Sequence, residues 1–217
     1  AGLGDRARAL TGRAVDLARE AAAEAGAGKI LVAGSAPPLE DCYRPDLVPG
    51  DDALAAEHAG HAANLVAAGA DLLLCETLNT IREARAASRA AKASGLPFLV
   101  SFVCGPGARL LSGEPLARAV DEVAGLGPEA VLVNCLPLAD AEACRAILVS
   151  CGLPWGVYPN LGAPAEPGGT GWISDASPEA FADGMMALVA DGARVVGGCC
   201  GTRPSHVRAL AARLAGS

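Results

Sequence analysis

The sequence predicts a parallel α/β fold of the (βα)8-barrel type, and three observations lead there. Short β-branched or leucine-rich runs alternate with alanine-rich helical stretches along the chain. The runs recur at about the spacing of one βα unit. Polar and reactive residues stand at the C-terminal ends of several different runs, where a barrel gathers its chemistry.

The elements follow in order. Residues 5–25 read as a helix that leads into a first strand over 29–33. Further strands are expected over 71–75, 98–103, 130–134, 155–158 and 194–197, with helices over 51–68, 81–94, 115–126, 139–149, 178–190 and 204–214. The strands are almost continuously apolar, as strands covered by helices must be. Gly69-Ala70-Asp71 and Gly192-Ala193-Arg194 each end a helix and launch a strand. Ser177 before Pro178, and Thr202 before Arg203-Pro204, place an oxygen-bearing side chain near an early helical proline. No domain boundary stands out, so residues 1–217 read as a single domain. The Pro/Gly-rich stretch 161–171 has the size of a functional loop.

Composition excludes several classes of function. The 17 basic and 24 acidic residues give a net charge of −7 and are scattered, so no basic stripe exists to neutralise nucleic-acid phosphates. No apolar run is long enough to span a membrane, and no basic-then-apolar leader precedes the first helix. The expected location is cytoplasmic. In that reducing compartment the eight cysteines are read as buried thiols and metal ligands rather than as a disulfide framework.

The chemistry concentrates in Gly197-Gly198-Cys199-Cys200-Gly201-Thr202. Adjacent cysteines are poorly placed to bridge one another, because a disulfide wants its Cα atoms further apart than one peptide unit. They can both face one soft ion, and the flanking glycines let the backbone turn tightly around it. Cys135, at the end of the run 130–135, is the candidate third ligand. A doubly wound sheet would instead carry a Gly-rich phosphate turn after its first strand. Ala33-Gly34-Ser35-Ala36-Pro37-Pro38 has no such turn, and Gly168-Gly169-Thr170-Gly171 lacks the Gly-Lys-Ser/Thr ending of a P-loop.

Taken in order, Val32-Ala33-Gly34-Ser35, Leu74-Cys75-Glu76-Thr77, Val133-Asn134-Cys135, Tyr158-Pro159-Asn160 and Gly197 to Pro204 carry a family likeness. The chain resembles the zinc-dependent homocysteine S-methyltransferase family over nearly its whole length. The resemblance implies a (βα)8 barrel that moves a methyl group to the sulfur of homocysteine to give methionine. It implies Zn2+ held by Cys135, Cys199 and Cys200. It implies small-molecule partners only: homocysteine and a methyl donor such as S-methylmethionine, with betaine or a corrinoid-bound methyl left open. The family begins with a strand ending in an Asp-Gly turn that helps to hold the substrate's amino-acid part, and nothing here matches it. The first two βα strands are therefore expected to be absent from this N-terminally incomplete chain. Six parallel strands would leave two open edges, which favours self-association.

The resemblance also implies that Glu76 binds the homocysteine ammonium group and serves the catalytic site; the alternative is a carboxylate that complements a helix start. Asn160 either orients substrate or makes an ordinary turn. Trp172 either covers a cationic methyl donor by cation–π attraction or packs under its own loop. Cys75 and Cys104 are expected to be core thiols, with no stronger claim for Cys42, Cys144 or Cys151. His58 and His61, at i, i+3, are expected on a solvated face or in a core hydrogen bond rather than on a metal, and His206 on a helical surface. A noncatalytic zinc or amino-acid binding protein built on the same barrel is the alternative function.

Overall fold

The computed structural model describes residues 2–26, 29–164, 172–173 and 176–216. In chain order the elements are α1 (Ala7–Ala25), β1 (Ala33–Ala36), α2 (Asp51–Ala67), β2 (Leu72–Leu78), α3 (Ile81–Ser94), β3 (Phe98–Phe102), β4 (Cys104–Gly105), β5 (Arg109–Leu110) and α4 (Leu116–Ala124). They continue with β6 (Ala130–Pro137), α5 (Leu138–Ser150), β7 (Trp155–Asn160), β8 (Ala163–Pro164), β9 (Trp172–Ile173), α6 (Pro178–Ala190), β10 (Val195–Val196) and α7 (Pro204–Ala215).

Six of the strands form one parallel sheet in the order β1-β2-β3-β6-β7-β10. Each strand lies beside its predecessor in the chain, so the order never reverses. That is the winding of a (βα) barrel; a doubly wound sheet has a switch point. β4 with β5, and β8 with β9, make short antiparallel ribbons beyond the strand ends.

β3, β6 and β7 lie where the apolar runs placed them and are largely buried on both faces, whereas β1 alternates exposed and buried residues. Leu73, Val100, Val131, Val133 and Val157 have no exposed surface. The helices cover the sheet with small, closely packed faces, including Ala84, Ala87 and Ala91 of α3, Leu116, Ala119 and Val123 of α4, and Phe181, Met185 and Leu188 of α6. Close approach is enforced at Gly156, where an added Cβ would stand 2.2 Å from the Val195 carbonyl oxygen. Glycine there lets β7 receive β10.

Three local expectations change. The first strand begins at Ala33, later than residues 29–33 suggested; the Val32 amide donates to the Asp71 carboxylate, and Ile30 and Leu31 are exposed. His206 is buried instead of lying on a helical surface, with its Nδ1 accepting from the Arg203 amide and its Nε2 donating to the Ala176 carbonyl. Thr202 does not cap α7, because its hydroxyl donates to the Cys199 carbonyl and the Arg203–His206 pair caps the helix instead. Ser177 does cap α6, accepting from the Ala180 amide. No helix among the described residues is long and apolar enough to cross a membrane.

Asp71 ties α1 to the start of the sheet, accepting from Arg19 at 2.7 Å and from the Val32 amide at 2.7 Å. The Arg19 guanidinium and the Val32 amide hold its carboxyl below the usual range. A carboxylate so depressed stabilises the fold above its unfolded-state value and stops doing so as pH falls through its folded-state value. Asp71→Asn is therefore expected to lower Tm at pH 7. Its deficit against the unaltered protein should close below about pH 4, where the carboxylate protonates; thermal melts across pH check it.

Candidate metal centre

The sulfurs of Cys135, Cys199 and Cys200 all lie within 4.8 Å of one another, the one such group of metal-capable side chains among the described residues. Cys135 Sγ is 2.9 Å from Cys199 Sγ. All three cysteines are partly buried. Cys135 and Cys199 share a hydrogen bond in which either thiol can donate, and this bond sets their pKa values apart, Cys135 up and Cys199 down. Burial, and then the negative charge of Cys199, pushes Cys200 up.

Cys135 reaches this point because β6 carries an extra residue. Pairing with β7 slips between Asn134 and Pro137, and Cys135 sits in the left-handed region at φ +56°. β2 repeats the device: its pairing with β3 slips between Cys75 and Leu78, with Thr77 at φ +59°. Such bulges bend a strand and re-aim its side chains. A left-handed non-glycine residue is uncommon, and a β-branched one more so.

Cys199 and Cys200 are delivered by a turn that continues the sheet. The Cys199 amide donates to the Pro159 carbonyl at 2.9 Å, and the Leu161 amide donates to the Cys200 carbonyl at 2.8 Å. The Cys200 amide donates to Asn160 Oδ1 at 3.2 Å. Thr202 closes the turn with its hydroxyl on the Cys199 carbonyl at 2.6 Å. A Cβ on Gly198 would fall 2.0 Å from Thr202 Cγ2, so this glycine is needed for close approach, while Gly201 is the one at positive φ, +81°.

Glu76 lies within β2 and not at a helix start, which removes the dipole alternative, and its charge acts on Cys199. Its Oε1 accepts from the Ser35 hydroxyl at 2.5 Å and its Oε2 from the Tyr158 hydroxyl at 3.2 Å. Burial and the Glu76 charge push the Tyr158 phenol up. Tyr43 donates to the Cys135 carbonyl at 3.3 Å from the loop between β1 and α2. Both tyrosines of the chain therefore border the cluster. Tyr43 was not singled out in the sequence, since a tyrosine in a loop carries no motif, and Tyr158 entered there only as part of Tyr158-Pro159-Asn160, with no role of its own.

The remaining candidates separate cleanly. His58 is buried with its Nε2 3.4 Å from Glu83 Oε1, while His61 Nε2 donates to the Ser35 carbonyl. Cys75, Cys104 and Cys144 are buried thiols. Residues 165–171 and the side chain of Trp172 lie outside the described residues.

A family model described as homocysteine S-methyltransferase matches residues 1–214. The chain belongs to the homocysteine S-methyltransferase family. It is 35% identical to homocysteine S-methyltransferase of Escherichia coli K12, over 96% of this chain and 72% of that protein. Homocysteine S-methyltransferase YbgG of Bacillus subtilis is 30% identical over 78% of this chain, which spans 55% of that relative's length. The crystal structure of the metallated form of the E. coli homocysteine methyltransferase MmuM superposes with a TM-score of 0.79 at 34% identity, covering 95% of this chain and 70% of that one. A family fold with a metallated member therefore underlies the three converging thiols.

Gly198→Ala is expected to displace the cysteine turn, because its methyl must push Thr202 aside. Overpacking of this kind costs about 1–3 kcal/mol. Chemical denaturation measures that loss, and a chelator competition should show weaker metal retention in the same variant.

Proposed function

We propose that the protein holds one zinc ion through Cys135, Cys199 and Cys200 and transfers a methyl group from a donor such as S-methylmethionine to the sulfur of homocysteine, giving methionine. The convergence of the three sulfurs within 4.8 Å carries this reading. Tetrahedral zinc–thiolate bonds of about 2.3 Å put sulfurs about 3.8 Å apart, so the trio accepts the ion once the Cys135–Cys199 contact opens. Thiolates are soft donors that favour zinc over magnesium or calcium. Bound there, zinc supplies a Lewis acid whose fourth position lets a substrate thiol ionise near neutral pH.

The chain's own residues do the binding and orienting. Ser35 and Tyr158 each take one lone-pair direction on the Glu76 carboxylate, which leaves two for the homocysteine ammonium group. Asn160 accepts from the Cys200 amide through its oxygen and hydrogen-bonds Tyr43 through its side chain, which ties the cysteine turn to the loop that carries Tyr43. In the transfer, the donor's methyl–sulfur bond breaks and its electron pair stays on the donor, which leaves as a neutral thioether; the acceptor sulfur supplies the pair for the new bond. Free thiol ligands suit a reducing compartment such as the cytoplasm.

Purified protein with homocysteine and S-methylmethionine is expected to carry one zinc per chain and to form methionine. Cys200→Ser should lose both. Glu76→Gln should keep its zinc but raise the homocysteine KM by roughly tenfold to a hundredfold, the worth of a charge-assisted hydrogen bond. Zinc without methionine from any donor would mark a noncatalytic binding protein, and full zinc and activity in Cys200→Ser would remove these cysteines from the site.

A further inference from the structure

Asn134 has no exposed surface and lies one residue before the ligand Cys135. Its Oδ1 accepts from the Thr77 amide at 3.0 Å and from the Ser101 hydroxyl at 2.6 Å, and its Nδ2 donates to Thr77 Oγ1 at 2.8 Å. One side chain thus joins the C-terminal ends of β2, β3 and β6. The two residues it governs, Thr77 through hydrogen bonds and Cys135 through the backbone, are two of the three non-glycine residues at positive φ among the described residues. Left to itself, each would relax toward the extended region, since a left-handed residue costs on the order of 1–3 kcal/mol and persists only when its surroundings impose it.

We propose that Asn134 is a positioning residue that sets Glu76 and Cys135 in register, so that the group holding the amino-acid end of the substrate and the group holding the metal keep a fixed separation. Glu76 is bonded directly to Thr77; were Thr77 to leave the left-handed region, the peptide between them would turn and carry the Glu76 side chain off the position that Ser35 and Tyr158 now hold. Cys135 follows Asn134 directly, so an anchored Asn134 fixes where its left-handed turn begins. A carboxamide suits the task because it accepts from a backbone amide while donating to a hydroxyl. The site roles of Glu76 and Cys135 rest on the proposed function, whereas the hold on Thr77 can be tested without it.

The test is a cycle of Asn134→Ala, Thr77→Gly and the double variant, with Ser101→Ala as a milder lesion that removes a single bond. Thermal melts, zinc affinity by chelator competition and homocysteine KM are measured on each. Thr77→Gly removes the hydroxyl that Asn134 Nδ2 holds, so it should lower Tm in the unaltered protein; in Asn134→Ala that bond is already gone and glycine adopts positive φ freely, so adding it there should not lower Tm further. Asn134→Ala should raise KM and weaken zinc binding, each about tenfold or more, as loss of outer support to a metal site does. Adding Thr77→Gly should recover KM and not zinc affinity, because it relieves β2 alone. Ser101→Ala should shift both less, in the same direction. Additive Tm changes around the cycle would overturn the hold on Thr77, as would unchanged KM and zinc affinity in both Asn134→Ala and Ser101→Ala for the register. An unaltered protein that neither binds zinc nor forms methionine would overturn the proposed function instead, and the melts would still decide the hold.

Discussion

The contact between Cys135 and Cys199, 64 residues apart in sequence and 2.9 Å apart at their sulfurs, is what the rest of the structure serves. Burial disfavours the thiolate form of thiols packed this closely. The arrangement persists because β6 and β10 both pair with β7, and β7 continues into hydrogen bonds with the cysteine turn. Sheet pairing delivers Cys135 from one side and the Cys199-Cys200 turn from the other. Remove β7 and nothing holds the two together.

Strain appears where this delivery occurs. An undisturbed β6 would send successive side chains to alternate faces of the sheet. A bulge breaks that alternation, turns Cys135 toward the cluster and costs a left-handed residue. The same cost is met in β2, where Thr77 takes the left-handed conformation between Glu76 and the fully buried Leu78. Asn134, Ser101 and Thr77 form a small polar layer between the apolar core and the site. Such a layer is rigid only when its groups find partners, and these three find one another.

Much of this was legible in the sequence, for physical reasons. Strands buried on both faces must be apolar throughout, so Leu72 to Cys75 and Ala130 to Val133 announce themselves. Helices α3 and α6 match the expected 81–94 and 178–190 because Thr80 and Ser177 cap them. The cysteine cluster was visible because adjacent thiols among glycines have few other uses. What stayed hidden has no local signature. Thr77 and Cys135 are not residues that prefer positive φ, so their bulges follow from contacts with Asn134, Tyr43 and neighbouring strands. His206 looked superficial because a histidine in a polar helix start usually is; here it satisfies the Arg203 amide and packs edge-on against Phe181. The first strand was placed too early because Ile30 and Leu31 are apolar, although the Asp71 carboxylate takes the Val32 amide just before the β1–β2 ladder begins.

In the proposed function three cysteine sulfurs hold a zinc ion and leave room for a fourth sulfur from the substrate. X-ray absorption at the zinc edge, on protein with and without homocysteine, addresses it most directly. Three sulfurs and one lighter atom at about 2.0–2.3 Å, becoming four sulfurs when homocysteine is added, is the predicted result. Fewer than three sulfurs, or a shell that homocysteine leaves unchanged, would contradict it.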